Sequence, residues 1–154
     1  MKRPFAWLGI VLLFAGSATA FAREAESLAG IWLTAGKDAK IKVEPCGEEL
    51  CGVIVWLKDP IDPATGKPQI DDKNANKALA KRPIIGLNIF SAMHPAGNKW
   101  SGKIYNADNG QTYSSELRLV GARNLEVRGC VLSFLCGGET WTKVSDVAVA
   151  SAHQ

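Results

Sequence analysis

Histidine is scarce in this chain. His94 lies inside the body of the sequence and His153 near its end. A zinc site usually uses closer ligand spacing, such as Cys-x2-Cys, and often adds histidines, and nothing here makes such a set. The Cys-x-x-Cys frame of a redox pair is missing. So are a Gly-rich phosphate loop and a nucleophile-elbow motif. After the N-terminal region no segment is long and apolar enough to be a membrane span. Excess charge is lacking too. The chain holds 18 basic and 15 acidic residues, and without Lys2 and Arg3 the balance is 16 against 15, or +1. A near-neutral body makes no electrostatic claim on nucleic acid or anionic lipid. These absences predict no catalytic residue set, no metal, no cofactor and no nucleic-acid partner.

What is present begins with an export signal. Residues 1–22 read MKRPFAWLGIVLLFAGSATAFA. A positive start and an apolar run of about ten residues precede small residues at Ala18, Ala20 and Ala22. Cleavage is expected after Ala22, where the polar Arg23-Glu24 begins, with Ala20 as the alternative. The rest is one domain by size, expected over 23–144, with a disordered tail at 145–154. The expected location is the periplasm or the exterior.

An exported chain meets an oxidising compartment, where disulfides persist. Four cysteines follow the signal: Cys46, Cys51, Cys130 and Cys136. They allow three connectivities. Geometry favours the local pairs, Cys46 with Cys51 and Cys130 with Cys136. In PCGEELCGVIVW, a two-residue Glu48-Glu49 turn would set Cys46 opposite Cys51. Glu-Glu suits such a turn poorly, and a four-residue loop closed by the cysteines is the alternative. The second pair brackets Val-Leu-Ser-Phe-Leu, with Ser133 expected at the tip of a hairpin that exposes apolar residues.

Helical periodicity is weak, and strand-length runs are frequent. Eight strands are expected: 28–35, 40–44, 50–57, 84–92, 99–106, 112–120, 124–131 and 139–144. Ile41 and Val43 alternate with Lys40, Lys42 and Glu44. Asp108-Asn109-Gly110 is a strong hairpin signal. A meander of this kind predicts an all-β, eight-stranded antiparallel up-and-down barrel, with a sandwich as runner-up. Closure also removes exposed edges. The long polar connection 58–83 separates the third and fourth strands. It is expected to be a functional loop or a cap over the barrel mouth.

Gly30-Ile31-Trp32 resembles the Gly-x-Trp start of lipocalins and other calycins. There the tryptophan closes the barrel floor beneath a basic residue of the last strand, a place Lys143 would take. The ordered set GIW, PCGEELCGVIVWL, RPIIGL, WSGKIYNADNGQTYSSEL, LEVRGCV and ETWTKV resembles a family of small exported bacterial proteins known only as a domain of unknown function. The resemblance covers residues 28–144. It implies a lipocalin-like barrel and export, and no activity. In that family the long loop often reads Asp-x-x-Asn-Pro, whereas Ala75 follows Asn74 here.

Three readings compete for function. The first is a lipocalin-like binder of a small apolar or amphipathic ligand. Its candidate wall residues are Trp32, Trp56, Tyr105 and Tyr113, with Arg82 at the mouth. The second is a ligand-free module with an envelope protein partner, using an apolar patch near 131–135. The third is a hydrolase centred on His94, read as a turn residue. In the long loop, Asp59, Asp62, Asp71, Asp72 and Asn74 read as solvated turn residues rather than calcium ligands. Arg82 is expected to pair with Asp72 and pin the loop, or to hold an anionic ligand. The aromatic side chains either fill the interior or line a cavity.

Overall fold

The structure is a computed structural model that describes residues 25–131 and 135–146. The expected signal at 1–22, Ser133 and most of the expected tail lie outside the described residues. The elements are β1 (Gly30–Leu33), β2 (Ala39–Cys46), β3 (Glu49–Leu57), the two-residue β4 (Ile61–Asp62) and β5 (Lys67–Pro68), β6 (Phe90–Pro95), β7 (Trp100–Asn106), β8 (Gln111–Val120), β9 (Asn124–Val131) and β10 (Leu135–Ser145). Residues 25–28 form one helical turn ahead of β1.

Eight strands make one antiparallel sheet in the order β3-β2-β1-β10-β9-β8-β7-β6. Every neighbour is the next or previous long strand, except that β1 meets β10. This is the expected up-and-down meander. It nearly closes where residues 86–89 run along β3. Gly86 N–H donates to Ile54 O, Ile54 N–H to Leu87 O, and Ile89 N–H to Gly52 O. The fourth long strand therefore starts at Phe90, not at Ile84. The physical reason is a tertiary contact: the Asn88 side chain accepts from Gly52 N–H and takes over a ladder position. At this seam the Phe90 ring lies where a Cβ on Gly52 would be, at 2.5 Å.

Both local disulfides form, with Cα–Cα distances of 5.8 Å for Cys46–Cys51 and 4.0 Å for Cys130–Cys136. Cys130 and Cys136 face each other in register. Cys46 instead faces Glu49, and Cys51 faces Glu44, so the first bridge runs diagonally. Gly47, at φ +73°, takes the first turn position and Glu48 the second. The turn thus uses the residue that tolerates positive φ, which the Glu-Glu alternative did not have.

The barrel has two unlike ends. At one end Trp32, Val43, Leu50, Met93, Leu117 and Leu125 are fully buried. The helical turn at 25–28 plugs this end. Leu28 accepts a hydrogen bond from the Trp32 indole at 2.9 Å, and Ser27 O accepts from Lys143 Nζ at 3.2 Å. Lys143 Nζ lies 5.3 Å from the Trp32 ring, the arrangement the calycin resemblance implies. The other end is open.

Candidate functional site

Strand alternation decides which side chains reach the open interior. From β2, β3 and β7 come Ile41, Ile54 and Ile104; from β9 and β10 come Val127 and Trp141. The long loop adds Ile84 and Ile89. Together they line a half-open cavity of about 570 Å³, within the usual range for small-molecule sites. Trp141 stacks against Phe90, with ring centroids 6.2 Å apart and planes at 9°. Its indole N–H donates to Glu139 Oε1.

The space exists partly because glycines stand where side chains would intrude. Gly129 and Gly137 are directly paired across β9 and β10, on the row that continues inward to Val127 and Leu125. A Cβ on Gly137 would meet nothing within 4 Å, and one on Gly129 would only graze Tyr113 at 3.5 Å. Around the mouth the lining becomes polar: Thr34 and Asp38 from the β1–β2 turn, Asp59 and Gln69 from the long loop, Asn106 and Asp108 from the β7–β8 turn, and Glu139.

A buried polar knot fixes the long loop to this end. Asp71 has no exposed surface. Its Oδ1 accepts from the Tyr105 hydroxyl at 2.5 Å. Its Oδ2 accepts from Asn74 Nδ2 at 2.8 Å and from Arg82 Nε and a terminal Arg82 nitrogen, both at 2.9 Å. Burial pushes the Asp71 carboxyl up, but the hydrogen bonds from Tyr105, Asn74 and Arg82, with the Arg82 charge, outweigh it and hold the pKa below the ordinary aspartate value. Burial, then the Asp71 carboxylate, pushes the Tyr105 phenol up.

Several expectations need correction. Arg82 pins the loop through Asp71, not Asp72, whose partner is Lys73 at 3.1 Å. Its guanidinium also lies 5.7 Å from the Tyr105 ring, and it is not part of the cavity lining. Tyr105 and Tyr113 do line the cavity. Trp32 is buried at the closed end, outside the lining. Trp56 faces solvent with Lys40 Nζ 4.7 Å from its ring. The cause is a bulge. Ile41 pairs with Ile54, but Lys40 pairs with Trp56, so Val55 is an extra residue and the phase flips. Leu57, not Trp56, then lies inward opposite Ala39.

His94 lies on β6 rather than in a turn. It faces outward, with Nε2 3.3 Å from Glu49 Oε1. Ser101 is its register partner on β7, but no hydrogen bond joins them among the described residues and neither lines the cavity. In the loop, Asp62 caps a turn by accepting from Ala64 N–H and Thr65 Oγ1. Among the described residues no group of three His, Cys, Asp or Glu side chains gathers to hold a metal ion, and no helix is long and apolar enough to cross a membrane. The disulfides are of the kind an oxidising compartment sustains.

The candidate wall residues left out Trp141, one of the aromatics that could line a cavity, and sequence reasoning missed the glycine row and the acidic mouth. The alternation in 124–131 pointed to Val127. The expected Cys130–Cys136 hairpin sets Gly129 opposite Gly137, but nothing in the sequence alone shows that the pair faces the interior.

Comparison with solved structures finds protein HP1028 from the human pathogen Helicobacter pylori, described as belonging to the lipocalin family. It is 20% identical, with a TM-score of 0.65, over 77% of this chain and 84% of that chain. This likeness establishes the fold as lipocalin-like. No curated protein matches the chain. The profile of a bacterial family described as "Uncharacterized protein conserved in bacteria (DUF2147)" matches residues 30–143, and the chain belongs to that family.

Proposed function

We propose that this protein is an exported, periplasmic or secreted lipocalin-like carrier that holds one small apolar or amphipathic molecule in the open end of its barrel. The cavity of about 570 Å³ carries the reading. Its inner wall is aliphatic and aromatic, and its polar groups lie at the mouth. Binding by burial follows directly: each methylene that leaves water contributes about 0.8 kcal/mol. Polar groups at the rim would orient the exposed end. Nothing in this mechanism requires a nucleophile, and the outward His94 takes no part in it.

Trp141 gives the test its readout. A naphthylamine probe entering the cavity should quench or accept its emission, and a competing ligand should reverse that. Gly137→Leu should abolish the signal by filling the space while the fold persists. Organic extraction of natively purified protein, followed by mass spectrometry, should release an amphiphile in near-stoichiometric amount. A probe that binds wild type and Gly137→Leu equally would place the ligand elsewhere and end the proposal.

A second reading, an interaction module, is favoured by one observation. Val131 and Leu135 flank the β9–β10 connection and are 46% and 60% exposed. Photocrosslinking from Leu135 in cells should capture an envelope protein on that reading, and no adduct on the first.

A further inference from the structure

We infer that the preferred ligand carries a positive charge: an amphiphile with an apolar body and a cationic head. This deepens, and rests on, the binding reading above.

The argument starts from the signs of the lining groups. Four carboxylates line the cavity: Asp38, Asp59, Asp108 and Glu139. Among the described residues no lysine or arginine does. They come from four separate segments, so the sign is a property of the whole rim and not of one loop. Lys37 and Lys58 stand beside Asp38 and Asp59 in sequence, yet neither is part of the wall.

Among the described residues most carboxylates elsewhere are paired with a basic side chain, Glu26, Glu48 and Asp62 excepted. On the outer faces Glu44, Glu49, Asp72, Glu116, Glu126 and Asp146 each lie within 4.0 Å of a basic side chain. No basic partner reaches any of the four rim carboxylates among the described residues. Asp38 accepts from Thr34 Oγ1 and Glu139 from Trp141 Nε1, while the side chains of Asp59 and Asp108 have no partner among the described residues. Four like charges around a low-dielectric opening reinforce one another and focus their field on it.

Two independent features say that the counter-charge is an organic cation attached to an apolar body. The void beneath the rim is lined by isoleucine, valine and tryptophan, which no inorganic ion would use. The carboxylates are also too dispersed to form a group of three metal ligands. An aromatic ring completes the recognition. Tyr113 stands in the same wall, and a ring face attracts ammonium groups that carboxylates have partly drawn from water.

The test compares decyltrimethylammonium, decyl sulfate and decanol below their aggregation limits. It uses the disulfide-bonded protein, with Trp141 emission and calorimetry as readouts. The cation should bind about tenfold more tightly than either competitor at low salt. That preference should shrink toward unity as ionic strength rises, because the rim charges are exposed. Asp59→Asn with Asp108→Asn should remove most of it, lowering affinity for the cation far more than affinity for decanol. Equal affinity for the three probes, or preference for the sulfate, would overturn the charge assignment and leave the cavity reading standing. Failure of all three to bind would overturn both, and the burial reading would be the one at fault.

Discussion

Trp32 and Gly137 stand on the paired strands β1 and β10, toward opposite ends of one interior. The Trp32 side chain has no exposed surface, and its indole is tied to Leu28. A side chain added at Gly137 would begin in open space. The closed end is filled like any protein core, with residues drawn from nearly every strand. The open end has the same backbone and the same register, but glycine and rim polars replace bulk. Stability should therefore reside in one half and binding in the other. The sharpest way to break this comparison is to exchange the two properties. Trp32→Ala should cost about 3–5 kcal/mol in urea unfolding, since a large buried side chain leaves a hole. Gly137→Leu should change stability by only about 0.5 kcal/mol and eliminate probe binding. A mild Trp32→Ala would mean that the closed end is not the folding core.

The next largest effect concerns the knot that holds the loop to the open end. Asp71→Asn removes a buried charge that three side chains satisfy, and should cost about 2 kcal/mol. The cost stays below that of a fully buried pair because Arg82 retains access to water, with 36% of its side chain exposed. The pH dependence has a definite sign. The folded-state pKa of Asp71 is depressed, so its contribution is complete above the ordinary aspartate value of about 3.9. It is lost as pH falls through the lower, folded value. Acid titration of stability should thus be steeper for wild type than for Asp71→Asn below about pH 4. Parallel curves would show that the carboxylate is not the group that matters. Because Tyr105 both binds Asp71 and lines the cavity, the same variant should also weaken ligand binding.

The disulfides sit on hairpins at the two ends and extend the comparison. Cys46–Cys51 clamps the β2–β3 turn at the closed end, and Cys130–Cys136 clamps β9 to β10 near the mouth. Each closes a short ring, so each should contribute about 2 kcal/mol on the chain-entropy account. Removing Cys46–Cys51 by paired Cys→Ala substitution should lower stability without touching ligand affinity. Removing Cys130–Cys136 should do both, because Gly129 and Gly137 lie one position inward from it. Urea midpoints and probe titrations on the two variants separate these outcomes.

How much of this was legible in the sequence follows from what each feature depends on. The strands at 40–44 and 124–131 alternate cleanly, and one face of each is buried as expected. Asp108-Asn109-Gly110 marked its hairpin for reasons of local backbone geometry. The cysteine pairs needed only export and short spacing. The strand expected at 84–92 failed because Asn88 competes with the backbone through its side chain, an effect of a partner strand 36 residues away. Asp71 was hidden among the acidic loop residues because its distinction is burial, which the flanking polar residues disguise. The acidic mouth was invisible because Asp38, Asp59, Asp108 and Glu139 meet only through tertiary closure. Interior and exterior phase along β3 could not be read, since both faces are apolar and one bulge reverses the pattern.

That bulge gives the smallest expected effect and the finest check on the comparison. Without Val55 as an extra residue, alternation from Leu50 and Ile54 would carry Trp56 into the cavity as a wall residue. With it, Trp56 lies outside beneath Lys40. An exposed cation–ring contact contributes about 0.5–1 kcal/mol, so Trp56→Ala should lower stability by no more than that and leave probe affinity unchanged. The same variant should sharply reduce acrylamide quenching of the remaining fluorescence. Trp32, Trp100 and Trp141 are each no more than 3% exposed, whereas Trp56 is 37% exposed. Loss of probe binding in Trp56→Ala, comparable to that of Gly137→Leu, would put the ring inside and the bulge elsewhere. The open end would then have a large aromatic wall residue on β3, and its contrast with the filled end would be much weaker.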